Sequence, residues 1–240
     1  MIIPNKKSIF VHINKTAGSS VEHAFGVYPD DQHNTAKEYI KELSSRKWST
    51  HFTFSFVRNP WDRIVSWYLW TNRSKFWYDG IPDDDMFPQM SAGHGDSRAY
   101  IDHGGHPQVK ENWYLNLKPQ FLKFLKTIES TNDMSLYTNI YKNNNKGRWV
   151  ANQINWLKNN KGEIDFDFIG RFENLQEDFD KVCDQLDIDR RQLAEAKKLN
   201  KKPHYSKFYD SKSIELVREL YQEDIEYFNY EFEDRKRATA

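Results

Sequence analysis

The sequence predicts an α/β domain with a central parallel sheet flanked by helices. Three observations point there. Two short apolar runs, residues 8–13 and 52–57, each feed a polar loop and then a helical pattern, and a third apolar run follows at residues 165–170. Strands that alternate with helices in this way build parallel sheets. A chain of 240 residues can bury roughly 70% of its unfolded surface, enough for one core without disulfide staples. One domain over residues 1–240 is therefore expected.

The elements follow in order. Ser8-Ile-Phe-Val-His-Ile is a short buried strand, and Ser19 or Ser20 can cap a helix through Val21, Ala24 and Phe25. Residues 34–43 form a helix capped by Asn34 or Thr35, with Ala36, Tyr39, Ile40 and Leu43 on one face and Lys37 and Lys41 on the other. Residues 52–57 are a strand of aromatic and β-branched type. Asn59-Pro60 then reads as N-cap and first helical residue, with Asp62 favouring the helix dipole and Ile64, Val65, Tyr68 and Leu69 carrying the helix inward.

Residues 72–112 are irregular and acidic, with prolines and three glycine-flanked histidines. They head a 72–150 region expected to act as a substrate-selecting insertion or lid. Within that region Phe121, Leu122, Leu125 and Ile128 recur at helical spacing, and residues 152–157 add another helix. Asp165-Phe-Asp-Phe-Ile-Gly is the third strand. Leu175, Phe179, Val182, Cys183 and Leu186 form an apolar helical stripe, which assigns Cys183 to packing rather than reactivity. Ile214, Val217, Leu220, Tyr221, Ile225 and Phe228 describe one closing amphipathic helix before a polar tail.

Composition excludes several functions. The 35 basic and 35 acidic residues cancel, which argues against the basic field of a nucleic-acid binder, so no such partner is expected. Cys183 is the sole cysteine, which leaves no internal disulfide and no cysteine-built metal site and suits a reducing, cytoplasmic setting. The first seven residues lack the apolar core of a secretory signal, and no apolar run approaches the ~18 residues of a membrane span. A soluble protein is expected. Most of the eight Trp are assigned to a bulky core.

Chemistry concentrates in two loops, each where a strand end meets a helix start and backbone N–H groups face an anion. The first, Asn14-Lys-Thr-Ala-Gly-Ser-Ser, holds a P-loop's place without its letters. Gly-x-x-x-x-Gly-Lys-[Ser/Thr] occurs nowhere in the chain, which disfavours an ordinary ATP or GTP site. It offers one cation at Lys15, hydroxyls at Thr16, Ser19 and Ser20, and Gly18 where backbone must come close. The bland alternative is a strand–helix turn with exposed polar residues. In the second loop Arg58 presents a fork of donors suited to phosphate and Ser66 adds a hydroxyl from the helix. Two such sites suit a ligand with two separated anionic ends.

Lys15-Thr-Ala-Gly-Ser-Ser together with Phe56-Val-Arg-Asn-Pro-Trp-Asp-Arg-Ile-Val-Ser-Trp-Tyr resembles the sulfotransferases that use 3′-phosphoadenosine 5′-phosphosulfate (PAPS). The likeness is to the carbohydrate-type branch with the chondroitin and HNK-1 enzymes and short bacterial relatives. It continues in Gln32-His-Asn-Thr-Ala-Lys-Glu, in Asp167-Phe-Ile-Gly-Arg-Phe-Glu-Asn-Leu, and in a closing pattern of Val217, Tyr221, Asp224, Ile225, Phe228 and Tyr230. The resemblance implies a P-loop-NTPase-like sheet, with PAPS as co-substrate, PAP as product and no metal.

It also implies roles. Lys15 stands on the bridging oxygen, with Thr16, Ala17, Gly18, Ser19 and Ser20 around the 5′-phosphate. Arg58 and Ser66 hold the 3′-phosphate, and Arg171 contacts the nucleotide or the sulfonate unless it pairs with Glu173. The family's usual Pro before the Lys is Asn14 here, which frees the loop's φ. Its Thr before the final Ser is Ser19.

Sulfonate transfer to a hydroxyl, expected on a carbohydrate, needs a base, and His33 is the candidate because imidazole titrates near neutrality and His33 fits the family's Gly-His-x-Thr-Ala pattern with Gln32 in place of the Gly. Without that context a pre-helix His reads as a cap or surface residue. Glu22, His23 and His51 are the alternative bases. Lys201-Lys-Pro-His204 lies where the family closes over its nucleotide, or is a solvated basic turn. His94, His103 and His106 do not make a metal site, because glycine-rich loops do not preorganise ligands, and they suit the acceptor side instead. The rival readings are a degenerate P-loop kinase and a non-catalytic nucleotide-binding module.

Overall fold

The computed structural model describes residues 1–3, 6–27, 33–71, 118–131, 150–194 and 203–235. The chain divides into two compact units. The first comprises Met1–Asn59, Ala151–Ala196 and Glu223–Tyr230, and the second comprises Pro60–Val150, Lys197–Gln222 and Glu231–Ala240.

The first unit is built on a four-stranded sheet in the order β1-β2-β3-β4, from Ile2–Ile3, Ser8–Val11, Phe52–Val57 and Phe168–Arg171. β1 is antiparallel to β2, whereas β2, β3 and β4 run parallel. The three expected strands are thus neighbours in one sheet. β2 and β3 are almost wholly buried, as central parallel strands are, whereas β4 is half-buried apart from Gly170. Phe10, Phe54, Phe56, Phe179, Val182 and Cys183 form the core, and burial of each Phe contributes about 1.5–3 kcal/mol.

Register is pinned beyond the ladder. The Asp167 carboxylate accepts from the Thr53 N–H at 2.7 Å and the Thr53 hydroxyl at 3.0 Å, so β4 enters beside the start of β3. Gly170 is dictated by packing, because a Cβ there would lie 2.5 Å from the Phe56 ring.

Helices α1 (Gly18–Ala24), α2 (Ala36–Leu43) and α3 (Ser45–Trp48) connect β2 to β3. α2 starts as expected, with the Thr35 side chain and Glu38 forming a reciprocal capping box. α1 does not: Ala17 is the N-cap in a left-handed conformation with no side-chain cap, and Ser19 and Ser20 lie inside the first turn.

In the second unit α4 (Pro60–Thr71), α5 (Lys118–Thr131) and α8 (Ser211–Leu220) pack with a 3₁₀ turn at Tyr205–Phe208. Phe121 is its hub, with ring centroids 5.2 Å from Tyr68 and 5.0 Å from Tyr209. The Tyr209 hydroxyl donates to the Trp61 carbonyl at 2.8 Å. The helix expected at residues 152–157 is the single turn α6 (Ile154–Leu157), and the apolar stripe is α7 (Leu175–Gln185). The closing helix is two: α8 ends at Leu220 and α9 spans Gln222–Phe228, parted at Tyr221 where φ is −119° and ψ is 26°.

Candidate active site

The β2 and β3 strands end side by side, with Val11 level with Ser55, so both polar loops leave the same edge of the sheet. The first loop is strained. Lys15 and Ala17 have φ of 64° and 69°, a region that costs a non-glycine residue roughly 1–2 kcal/mol. Such strain persists only where neighbours over-determine it, and functional sites are where it collects.

Three neighbours do so here. The Thr16 hydroxyl donates to the Ile13 carbonyl at 2.7 Å. The His12 imidazole, whose Nδ1 donates to Glu22 Oε1 at 2.7 Å, fills the space beside Gly18, where a Cβ would lie 1.9 Å from the ring. Arg58 Nη1 donates to the Lys15 carbonyl at 3.0 Å.

The result is a backbone concavity. Among the described residues, no hydrogen bond reaches the N–H groups of Thr16, Ala17 and Gly18. Consecutive N–H groups bent by left-handed residues make an anion-binding nest. α1 is only seven residues long, so the loop's backbone N–H groups and the Lys15 charge, rather than a long helix dipole, are what this edge offers an anion.

The second loop works differently from the expectation. Its Arg58 N–H is taken by Gln153 Oε1 at 2.8 Å, and its Asn59 N–H by Glu173 Oε1 at 2.7 Å. Those two backbone donors therefore do not serve an anion. The Arg58 guanidinium carbon sits over the Phe172 ring, 3.7 Å from the centroid, a cation–π contact that helps hold the side chain in place.

His33 is buried against the same sheet edge. Its Nδ1 is 3.1 Å from the His12 carbonyl, which can only accept, so Nδ1 carries the proton and Nε2 holds the lone pair in the neutral ring. The rings of His12 and Trp156 stand 4.3 and 6.2 Å away. Of the alternative bases, Glu22 is 2% exposed and bound to His12, His23 is exposed on α1, and His51 holds the Lys47 carbonyl at 2.6 Å.

Lys15, Thr16, Ala17, Gly18, Ser19, Ser20, His33, Arg58 and Arg171 share the first unit, while Ser66, half-buried on α4, belongs to the second. Arg171 donates through Nη2 to the Phe228 carbonyl at 2.5 Å and faces the Tyr230 ring at 4.7 Å. Glu173, the alternative partner considered for Arg171, takes the Asn59 N–H and the Tyr230 hydroxyl. His204 lies in the second unit and accepts from the Ser206 N–H at 3.4 Å. His94, His103 and His106 lie outside the described residues, among which no cluster of three metal-ligating side chains occurs. No described helix is long and apolar enough to cross a membrane.

Sequence reasoning missed His12 and Gln153, named Glu173 only as a possible partner of Arg171, and read Phe172 and Asp224 only as motif letters. The chain matches the sulfotransferase family over residues 1–231. It belongs to that family. No curated protein and no solved structure gives a significant match. The α/β sheet and the P-loop-like placement of the first loop are those of a sulfotransferase, and the protein is a transferase of sulfonate groups.

Proposed function

We propose that this sulfotransferase takes its sulfonate from PAPS and delivers it to a hydroxyl of a carbohydrate, with His33 as base. The observation that carries this reading is the Arg58–Lys15 contact of 3.0 Å, which brings the two anion-seeking loops together at the ends of adjacent parallel strands. The donor set fits the nucleotide: three N–H groups and an ammonium for one anionic end, a planar guanidinium for the other. When bound, PAPS supplies an activated sulfonate on a phosphate leaving group.

The chain's own residues then have defined work. The nest at residues 16–18 and the hydroxyls of Ser19 and Ser20 hold the 5′-phosphate, and Lys15 meets the charge that grows on the departing oxygen. Arg58 takes the 3′-phosphate, and Arg171 is a further nucleotide contact. His33 accepts the acceptor hydroxyl proton at Nε2 as that oxygen bonds to sulfur, while the electron pair of the breaking S–O bond leaves with the phosphate. Positioning and electrostatics supply most of the acceleration in such transfers. A base adds typically ~10² to 10⁴-fold.

The test is thermal stabilisation by PAP, with turnover of PAPS on a sugar panel. PAP should stabilise the wild type and stabilise Lys15→Ala and Arg58→Ala far less, while His33→Ala keeps PAP binding and loses turnover by at least ~10²-fold. Equal stabilisation of all variants would remove the assigned site. A stronger effect of magnesium ATP would restore the kinase reading, which the family match does not support. PAP binding without turnover on any hydroxyl would favour the binding module.

A further inference from the structure

We propose that the closing segment Asp224–Tyr230 is a positioning element for Arg58, acting through Gln153 and Glu173, and that it sets how strongly the protein prefers a nucleotide bearing a 3′-phosphate. This rests on the Arg58 role proposed above.

The need for such an element follows from where β3 stops. The strand ends at Val57, so the peptide groups of Arg58 and Asn59 leave the sheet ladder, and buried N–H and C=O groups must find partners elsewhere. They find side chains. The Gln153 amide accepts from the Arg58 N–H through Oε1 and donates to the Arg58 carbonyl through Nε2, both at 2.8 Å. This two-point grip fixes the backbone from which the guanidinium projects. Glu173 Oε1 holds the next N–H, that of Asn59, at 2.7 Å.

Both side chains are in turn held by the same short segment. Asp224, fully buried, accepts from the Gln153 backbone N–H at 2.7 Å and from Gln153 Nε2 at 3.2 Å through Oδ2, and from the Ile154 N–H at 2.9 Å through Oδ1. The Tyr230 hydroxyl donates to Glu173 Oε2 at 3.2 Å, and burial raises that phenol well above its ordinary range, which keeps it a donor. Between these anchors the Phe228 carbonyl holds Arg171. Phe172, the ring under the Arg58 guanidinium, sits between Arg171 and Glu173 in the chain.

A purely structural role would lower stability and leave nucleotide preference alone. Titration of the protein with PAP and with adenosine 5′-phosphate, which lacks the 3′-phosphate, separates the two. Gln153→Met keeps the length of the side chain and removes both bonds to Arg58. It should weaken PAP by about ten-fold, the worth of displacing a charged hydrogen-bond donor, and leave adenosine 5′-phosphate within two-fold. Combined with Arg58→Ala it should add nothing to the loss of preference.

Tyr230→Phe removes one phenol bond with little volume change and should lower the preference about three-fold, carrying the test if Gln153→Met does not fold. A preference retained in full by the folded variants overturns this inference alone. A wild type without any preference for PAP overturns the Arg58 role and this inference with it.

Discussion

Gly18→Ala exposes how the first loop is held. The new Cβ would lie 1.9 Å from His12 Cδ2 and 2.0 Å from Nε2, so the ring must move by about 1.5 Å to restore ordinary contact. It is poorly placed to do so, since His12 is 7% exposed and its Nδ1 is bonded to the buried Glu22. Overpacking costs roughly 1–3 kcal/mol, and loss of a hydrogen bond to a carboxylate about 1.5–3 kcal/mol. Against this, Ala is the better helix former by about 0.8–1 kcal/mol. A net loss of about 3 kcal/mol is expected.

Urea unfolding reads it directly: with a slope near 3 kcal/mol/M for a chain of this size, the midpoint should fall by about 1 M. The decisive control is the same substitution in a His12→Ala background. With the imidazole gone the clash is gone, and Gly18→Ala should become neutral or stabilising by up to ~1 kcal/mol. Equal destabilisation in both backgrounds would refute the claim that the His12 ring is what requires glycine here.

Two further outcomes follow from the geometry. Ala17→Gly relieves a left-handed residue at φ 69° and should stabilise the protein by up to about 1 kcal/mol, net of the entropy glycine adds to the unfolded chain; a fall in the urea midpoint would show that Ala17 is not strained. Burial raises the Cys183 thiol above 9.0 and the Tyr209 phenol well above 10.0. The folded state keeps these protons to higher pH than the unfolded chain does, so stability is full below those ordinary values and is lost as pH rises past them. The loss steepens toward ~1.4 kcal/mol per pH unit for each group. Urea midpoints at pH 7, 9 and 10.5 that do not fall would contradict it.

What the sequence revealed and what it hid divide along contact range. β3 was legible to the residue because an aromatic run is bounded by His51 and by Asn59-Pro60, all local signals. The α2 cap was narrowed to Asn34 or Thr35 by the same kind of local signal, and the structure uses Thr35 with Glu38. The start of α1 was misread because Ser19 and Ser20 are good caps locally, whereas the left-handed turn at Lys15 and Ala17 is held by Arg58 and by His12 packing.

The closing helix read as one because its apolar stripe continues through Tyr221. It breaks there, and Asp224 turns instead to the N–H groups of Gln153 and Ile154, some seventy residues earlier. No local pattern in Gln153 or Glu173 signals a role, since each acts on a loop nearly a hundred residues or more away. His12 carried a weak signal, a histidine on an otherwise apolar strand end just before the loop.

The measurement that bears most directly on the central claim is a crystal structure with PAP bound. The account predicts the 5′-phosphate on the nest at residues 16–18 beside Lys15, the 3′-phosphate on the Arg58 guanidinium, and His33 Nε2 facing the opening at the 5′ end. A nucleotide that contacts only one of the two loops, or neither, would contradict it.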